Sequence, residues 1–284
     1  MKKIKVIAVV GPTSVGKSDY AVKLAKKIKG EIISADSRQV YTGLDIGSGK
    51  ITKKEMGGIP HHILDVANPK NKNVFTVSDF KNLSEKAIEE INKKNKVPII
   101  CGGTGFYIDS LLLGLDIPEV PPNNALRKKL YSKSAEALFE YLKKIDPERA
   151  KSIDKDNPVR LVRAIEIAKA LGRVPNIKIN SKYDVEWIGL TADREILRER
   201  IVKRLHARLK QGMIKEVKQL HADGVTWKRM YDFGLEYRYC SMLLQNKISK
   251  DDFEKILSDK IYQYAMRQLR WFKRNKKIKW IEVK

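Results

Sequence analysis

Cysteine is nearly absent: Cys101 and Cys240 are the only two in 284 residues. Two thiols so far apart make neither a disulfide framework nor a cysteine-rich zinc site, and they favour a reducing, cytoplasmic setting. Long apolar runs are missing too. No stretch approaches the ~18–20 uncharged residues that a membrane-spanning helix needs. The opening MKKIKVIAVV has the basic start of a secretory leader, yet it runs straight into GPTSVGK without a small-residue cleavage site. It reads as a buried first strand. Acidic residues are the scarce charge, 34 Asp and Glu against 58 Lys and Arg, for a formal net charge of +24. A lysine-rich proteome would spread such an excess evenly. Here residues 123–184 hold 15 basic and 8 acidic residues, and residues 258–284 hold 9 and 2. Clustering of this kind suits a surface for a polyanion, whose phosphates release counterions when Lys and Arg neutralise them.

What is present is an alternation of strand and helix patterns. Residues 4–10 form a continuous β-branched apolar run, as a central parallel strand requires. Ala21, Leu24, Ala25 and Ile28 then recur at helical spacing, with Gly30 placed to end that helix. Residues 31–35 make a second strand that delivers Asp36 at its carboxyl end. Phe80, Leu83, Ala87, Ile88 and Ile91 mark a helix, and 97–104 the next strand. The order is that of a doubly wound α/β sheet, whose ligands bind at the carboxyl ends of its strands. The proline-rich segment 116–124 then reads as a linker. Helical patterns fill the next 60 or so residues, around Leu138–Ile145 and Leu161–Ala168. A strand at 185–191 returns the chain to the sheet, followed by helices near 193–211, 213–222 and 250–274. Residues 277–283 close as an edge strand. The expected organisation is a split core, 1–119 with 185–284, interrupted by a basic helical insertion at 120–184.

Residues 11–18, GPTSVGKS, match G-x-x-x-x-G-K-[ST] between an apolar strand and an amphipathic helix, the context that makes this motif a P-loop. Gly11 and Gly16 let the loop, through Pro12, Thr13, Ser14 and Val15, turn its backbone N–H groups (Pro12 has none) around an anion at a helix N-terminus. Lys17 adds a compact positive charge for the terminal phosphates, and the Ser18 hydroxyl is the expected Mg²⁺ ligand. No apolar strand ends in a Walker-B aspartate: 97–104 ends in Gly-Gly-Thr, and Asp193 follows a Thr-Ala turn. That argues against a motor-type NTPase. Asp36, beside the phosphate site, can serve as a base or as a hydrogen-bond acceptor, and equally as a helix cap. Arg38 and Gln39 offer bidentate contacts to a phosphate or a base edge.

The blocks GPTSVGKS, SADSRQVYTGLDIGSGK (34–50), IPHHILDV (59–66), PIICGGTGFYIDSLLLGL (98–115) and RLVRAIEI (160–167) follow one another in order. Together they resemble the tRNA dimethylallyltransferase family, over most of the chain. Two looser blocks, GLEYR (234–238) and AMRQLRWFKR (265–274), extend the likeness, although Glu236 stands where the family has glycine and Met266 where a basic residue is common. The resemblance implies a P-loop-type parallel core with a helical insertion. It also implies prenyl transfer from dimethylallyl diphosphate to N6 of the adenine beside the anticodon, with Mg²⁺ as cofactor. Asp36 would take the N6 proton, and Thr104 would lie near the bridging oxygen of the diphosphate. Arg204 would be a second diphosphate clamp. Asp36, Ser37, Arg38, Gln39, Arg127 and the run Val159, Arg160, Leu161, Val162 and Arg163 would meet the tRNA anticodon stem-loop. A monomer is the expected state, with no membrane partner.

Arg160 and Arg163, three residues apart, are expected to project together from the polar edge of their helix. Other readings stay open. An adenylate isopentenyltransferase would not need the basic insertion, a small-molecule kinase could use RERIVKR as an arginine lid, and a P-loop regulator could bind RNA without transferring anything. His61 and His62 have no third ligand nearby and read as structural. Tyr231, Phe233, Tyr237 and Tyr239 suit base stacking and core packing equally. Trp271 and Trp280 read as core or rim, and Cys101 as a small buried residue.

Overall fold

All but the first two residues of the first strand, Ile4–Val10, are buried, which only a strand covered on both faces allows. In the computed structural model, which describes residues 3–71, 73–176 and 178–284, this strand (β1) leads through the P-loop to α1 (Lys17–Ile28) and β2 (Gly30–Ala35). There follow α2 (Lys53–Met56), β3 (His61–His62), α3 (Val77–Lys93), β4 (Val97–Gly102) and α4 (Gly105–Leu112). Four helices come next: α5 (Asn124–Tyr131), α6 (Ala135–Ile145), α7 (Pro147–Ala150) and α8 (Pro158–Leu171). The chain returns as β5 (Tyr183–Thr191), α9 (Arg194–Lys210), α10 (Met213–Ala222), α11 (Trp227–Phe233), α12 (Leu235–Leu244), α13 (Lys250–Phe272) and β6 (Lys279–Glu282).

The six strands form one sheet in the order β3-β2-β4-β1-β5-β6, with every named pair parallel. The fold is α/β and P-loop NTPase-like. Register then sets the site. Gly102 at the end of β4 lies opposite both Val10 and Ala35, and Val10 lies opposite Gly189. The carboxyl ends of four strands therefore finish level, and the loops that leave them share one edge. Gly102 is essential to that spacing, because a Cβ there would strike the backbone of Ala35. Order reverses at β1, the switch point where doubly wound sheets bind ligands.

One local expectation changes. Gly30 does not end the first helix: Lys29 (φ 54°) takes the left-handed position, and its N–H bonds Ala25 O. Gly30 already belongs to β2, where the carbonyl of Val97 and the side chain of Ile99 fill the place of a Cβ. The histidine pair forms the short edge strand β3. His62 Nε2 lies 2.7 Å from the buried carboxylate of Glu31, and His61 Nδ1 lies 2.9 Å from Ile59 O. Among the described residues no group of three or more His, Cys, Asp or Glu could hold a metal, and no helix is long and apolar enough to cross a membrane.

The chain divides into two compact units, residues 1–114 with 181–284, and residues 115–180. The larger carries the sheet. The smaller has its own core around Leu130, Leu138, Leu142, Leu161 and Ile165. Within it the Glu166 carboxylate is buried, accepting from Arg127 Nε and Nη2, from Arg163 Nη1 and from the backbone N–H of Asn123 at 2.7–2.8 Å. Burial pushes this carboxyl up, but the bonds from Arg127, Arg163 and Asn123 outweigh it and hold Glu166 ionised, below the usual carboxylate range.

Candidate active site

Between β1 and α1 the loop turns with Gly11 at φ 149°, Ser14 at 63° and Gly16 at 95°, conformations that favour glycine at both ends. A Cβ on Gly11 would also meet the Leu190 carbonyl of β5. Lys17 Nζ donates to Pro12 O at 2.6 Å, folding the side chain over the loop. Burial, and secondarily the nearby charge of Arg204, lowers the Lys17 amine to about 8. Arg204 reaches in from α9, donating to Thr13 Oγ1 (3.3 Å) and Gly49 O (3.5 Å). Burial and the neighbouring Arg208 bring it down to about 10. Neither cation makes an ion pair among the described residues. The cavity thus brings Lys17 and Arg204 together without an ion pair, with the carboxylates of Asp19, Asp36 and Glu55 also in its lining.

Asp36 follows β2. Its Oδ1 accepts from the N–H groups of Arg38 (2.8 Å) and Gln39 (3.4 Å), a local turn that fixes the carboxylate, while Oδ2 has no partner among the described residues. Thr104, after β4, ties the neighbouring strand ends together: its N–H donates to Ala35 O (3.2 Å), and its Oγ1 accepts from Ser37 N (3.1 Å). That leaves the hydroxyl proton of Thr104 free to donate. Arg38 donates to Ser37 O and Asp232 O at 3.4 and 3.3 Å. The Gln39 amide is used inside the protein, accepting from Ser34 Oγ (3.0 Å) and donating to Gly49 O (3.2 Å).

Two cavities meet here. The larger, about 300 Å³, is lined by Thr13, Lys17, Ser18, Asp36, Arg204 and Gln268 among others. The smaller, about 140 Å³, is lined by Arg38, Phe233, Leu235 and Ile261. Thr13, Asp36, Ser48 and Tyr264 line both. Asp36 therefore stands at a seam between the P-loop chamber, which holds Lys17 and Arg204, and a second chamber in which Phe233, Leu235 and Ile261 lie beside Arg38 and Arg208.

Several site residues carry no motif of their own. Gln268 on α13 accepts from Thr13 N at 2.8 Å and donates to Gly103 O at 2.9 Å, stapling the P-loop to the end of β4. Tyr264, one turn earlier, lines both cavities. Arg208 on α9 pairs with Glu236 at 2.9 Å and donates to Gly47 O at 3.2 Å. The glutamate that replaces the expected family glycine thus has a buried partner. Of the aromatic cluster, Phe233 and Tyr237 are core residues. Trp271 is anchored through Nε1–H to Asp109 Oδ2 at 2.8 Å.

In the smaller unit the residues expected on a nucleic acid divide. Arg160 is exposed, 3.6 Å from Asp154, and Val159 is exposed. Leu161 and Val162 are core. Arg127 and Arg163 turn towards Glu166, so Arg160 and Arg163 do not present together: a buried carboxylate three residues on captures the second of them.

A strand, a P-loop and a helix at the carboxyl edge of a parallel sheet, with a fixed carboxylate on the next strand end, define a P-loop phosphate-binding enzyme. Among the described residues no Walker-B aspartate completes it. β4 ends in glycine, and Asp193 only caps α9 by accepting from Glu195 N at 2.7 Å. The IPP transferase family model matches residues 39–275, and the chain belongs to that family of prenyl-transferring enzymes. It is 42% identical to tRNA dimethylallyltransferase 2 of Treponema denticola, over 97% of this chain and 95% of that protein. It is 39% identical to the Clostridioides difficile tRNA dimethylallyltransferase, over 100% and 93%. Among solved structures, the Bacillus halodurans tRNA isopentenylpyrophosphate transferase superposes with a TM-score of 0.75 at 35% identity, covering 99% of this chain and 90% of that one. A eukaryotic dimethylallyltransferase captured acting on tRNA gives 0.83 at 26% identity, covering 98% and 74%.

The depressed Lys17 amine gives a signed expectation. In the free protein it loses its proton as pH rises through about 8, and a bound anion favours the charged form and restores the proton. Inorganic diphosphate should therefore bind with net proton uptake at pH 8.5. Calorimetry in buffers of different ionisation enthalpy should show that uptake in the wild type and its loss in Lys17→Ala.

Proposed function

We propose that this chain transfers the dimethylallyl group of dimethylallyl diphosphate to N6 of the adenine beside the anticodon of a tRNA, releasing diphosphate, as a cytoplasmic monomer. The observation that carries the reading is Asp36 lining both cavities, with the P-loop, Lys17 and Arg204 on one side and Phe233, Leu235 and Ile261, beside Arg38 and Arg208, on the other.

The donor's diphosphate occupies the P-loop chamber, cradled by the P-loop N–H groups, Lys17 and Arg204. The bond from its first carbon to the bridging oxygen breaks, and the electron pair leaves on the diphosphate. Preorganised cations stabilise that charge where it develops. Thr104 donates its free hydroxyl proton as a hydrogen bond near the bridging oxygen. The first carbon bonds to N6 while Asp36 Oδ2 accepts the N6 proton. Adenine reaches this carboxylate only after leaving its stack in the loop. Mg²⁺ fits the donor set: the Ser18 hydroxyl lines the chamber, makes no hydrogen bond among the described residues, and is the hard oxygen ligand this ion prefers. When bound, Mg²⁺ supplies further neutralisation of the diphosphate oxygens.

The tRNA contacts are assigned to Arg38, which lines the smaller cavity of the larger unit, and separately to Arg160 and Val159 at the exposed start of α8 in the smaller unit. Ser37 contributes through its backbone, and Leu161 and Val162 only through theirs. Gln39 braces the loop after β2 through Ser34 and Gly49, and Arg127 and Arg163 brace the smaller unit through Glu166.

Asp36→Ala should lower kcat by roughly 10²–10⁴, with tRNA affinity little changed. Near-normal single-turnover rates would remove the carboxylate from the chemistry. In the smaller unit, Arg160→Ala should raise the KM for tRNA and flatten the salt dependence of binding by about 0.7–0.9 log unit of slope for each phosphate no longer neutralised. The KM for dimethylallyl diphosphate should hold. Arg163→Ala should instead lower stability, by about 1–3 kcal/mol, because it strips a partner from the buried Glu166. Urea unfolding separates the two.

A further inference from the structure

The segment between β2 and α2 has no regular structure around residues 44–49, yet it presents its carbonyls to the site. Gly47 O accepts from Arg208 Nη1 at 3.2 Å, and Gly49 O accepts from Arg204 Nη2 at 3.5 Å and from Gln39 Nε2 at 3.2 Å. A loop that aims two guanidinium groups has to be rigid, and one side chain holds it. Glu216, on α10, accepts from three consecutive N–H groups through its carboxylate: Asp45 (3.1 Å), Ile46 (2.6 Å) and Gly47 (3.0 Å). Its Oε1 also accepts from Tyr237 Oη–H at 3.0 Å, and that phenol oxygen in turn accepts from Ser48 N at 3.1 Å. Burial, and then the Glu216 charge, push the Tyr237 phenol well above its ordinary range, so it stays a donor. The fit is close: a Cβ on Gly47 would lie 2.7 Å from the Tyr237 ring, and one on Gly49 would collide with Arg204 and Arg208. Four consecutive amides are thereby committed to one carboxylate and one phenol. Glu216 lines neither cavity.

We infer that Glu216 is a positioning residue for the diphosphate site, acting through the 44–49 loop and Tyr237 to hold Arg204 at the leaving group, with Arg208 fixed beside it on the Gly47 carbonyl. The inference rests on the reading of the P-loop chamber as a diphosphate site. Repulsion between the two guanidinium groups would drive them apart if their carbonyl acceptors were free to move. A carboxylate bound by backbone N–H groups supplies a fixed anchor that a neutral amide cannot, since the NH₂ of glutamine would face amide donors.

The test is a double-mutant cycle on inorganic diphosphate binding, read by calorimetry with the full chain, which needs neither tRNA nor turnover. Glu216→Gln should weaken diphosphate by about tenfold or more, and Tyr237→Phe by less, with circular dichroism and tRNA affinity unchanged. Arg204→Ala should weaken it too, and adding Glu216→Gln to Arg204→Ala should cost much less than in the wild type. A Glu216→Gln protein that binds diphosphate normally, or an additive cycle, overturns the inference while the site reading stands. An Arg204→Ala protein with wild-type diphosphate affinity overturns both. If Glu216→Gln fails to fold, Tyr237→Phe carries the same cycle, and full affinity there is the contrary result.

Discussion

Lys17 and Arg204 are brought together in one buried chamber at the edge of the sheet, and neither is held in an ion pair among the described residues. Burying an ammonium group, with a guanidinium nearby, is unfavourable, and the lysine shows it. Its fall to about 8 from 10.5 represents on the order of 3 kcal/mol of preference for the neutral form. The strain is relieved by a multiply charged anion, so the same burial that costs stability in the free protein supplies affinity and leaving-group stabilisation when a diphosphate is present. Residues that do not touch a ligand can be understood as the means of keeping those charges close.

Two kinds of support do this. The strand register brings the ends of β1, β2, β4 and β5 level, which places the P-loop, Asp36 and Thr104 side by side. Helices packed on that edge then lock the loops: Gln268 of α13 joins the P-loop to Gly103, Glu216 of α10 collects the amides of residues 45–47, and Arg208 pairs with Glu236 of α12. Asp36 is fixed by its own following N–H groups, which leaves Oδ2 directed to chemistry instead of to structure.

What was legible in the sequence is what is local. The P-loop, the strands at 4–10, 97–104 and 185–191 and the long C-terminal helix all announce themselves within a dozen residues, and the ordered blocks supplied Asp36 and Thr104. Long-range partners were not legible. Gln268 meets Thr13 across 255 residues, and Glu216 meets Ile46 across 170, so no spacing rule marks them. Nor does the short strand β3, whose two residues are defined only by pairing with β2. Arg163 looked like a surface cation because a buried glutamate at the next turn leaves no trace in a polar pattern. Lys29 took the left-handed position that glycine usually fills, and so displaced the helix end by one residue.

The central claim is that a prenyl group leaves the P-loop chamber and reaches an adenine of tRNA at Asp36. Incubating the purified protein and Mg²⁺ with radiolabelled dimethylallyl diphosphate, and with either an anticodon stem-loop carrying adenine beside the anticodon or AMP, tests it most directly. The account predicts label on N6 of that one adenine, with stoichiometric diphosphate release and no label on AMP. Label on AMP, or diphosphate binding with no transfer to RNA, would contradict it.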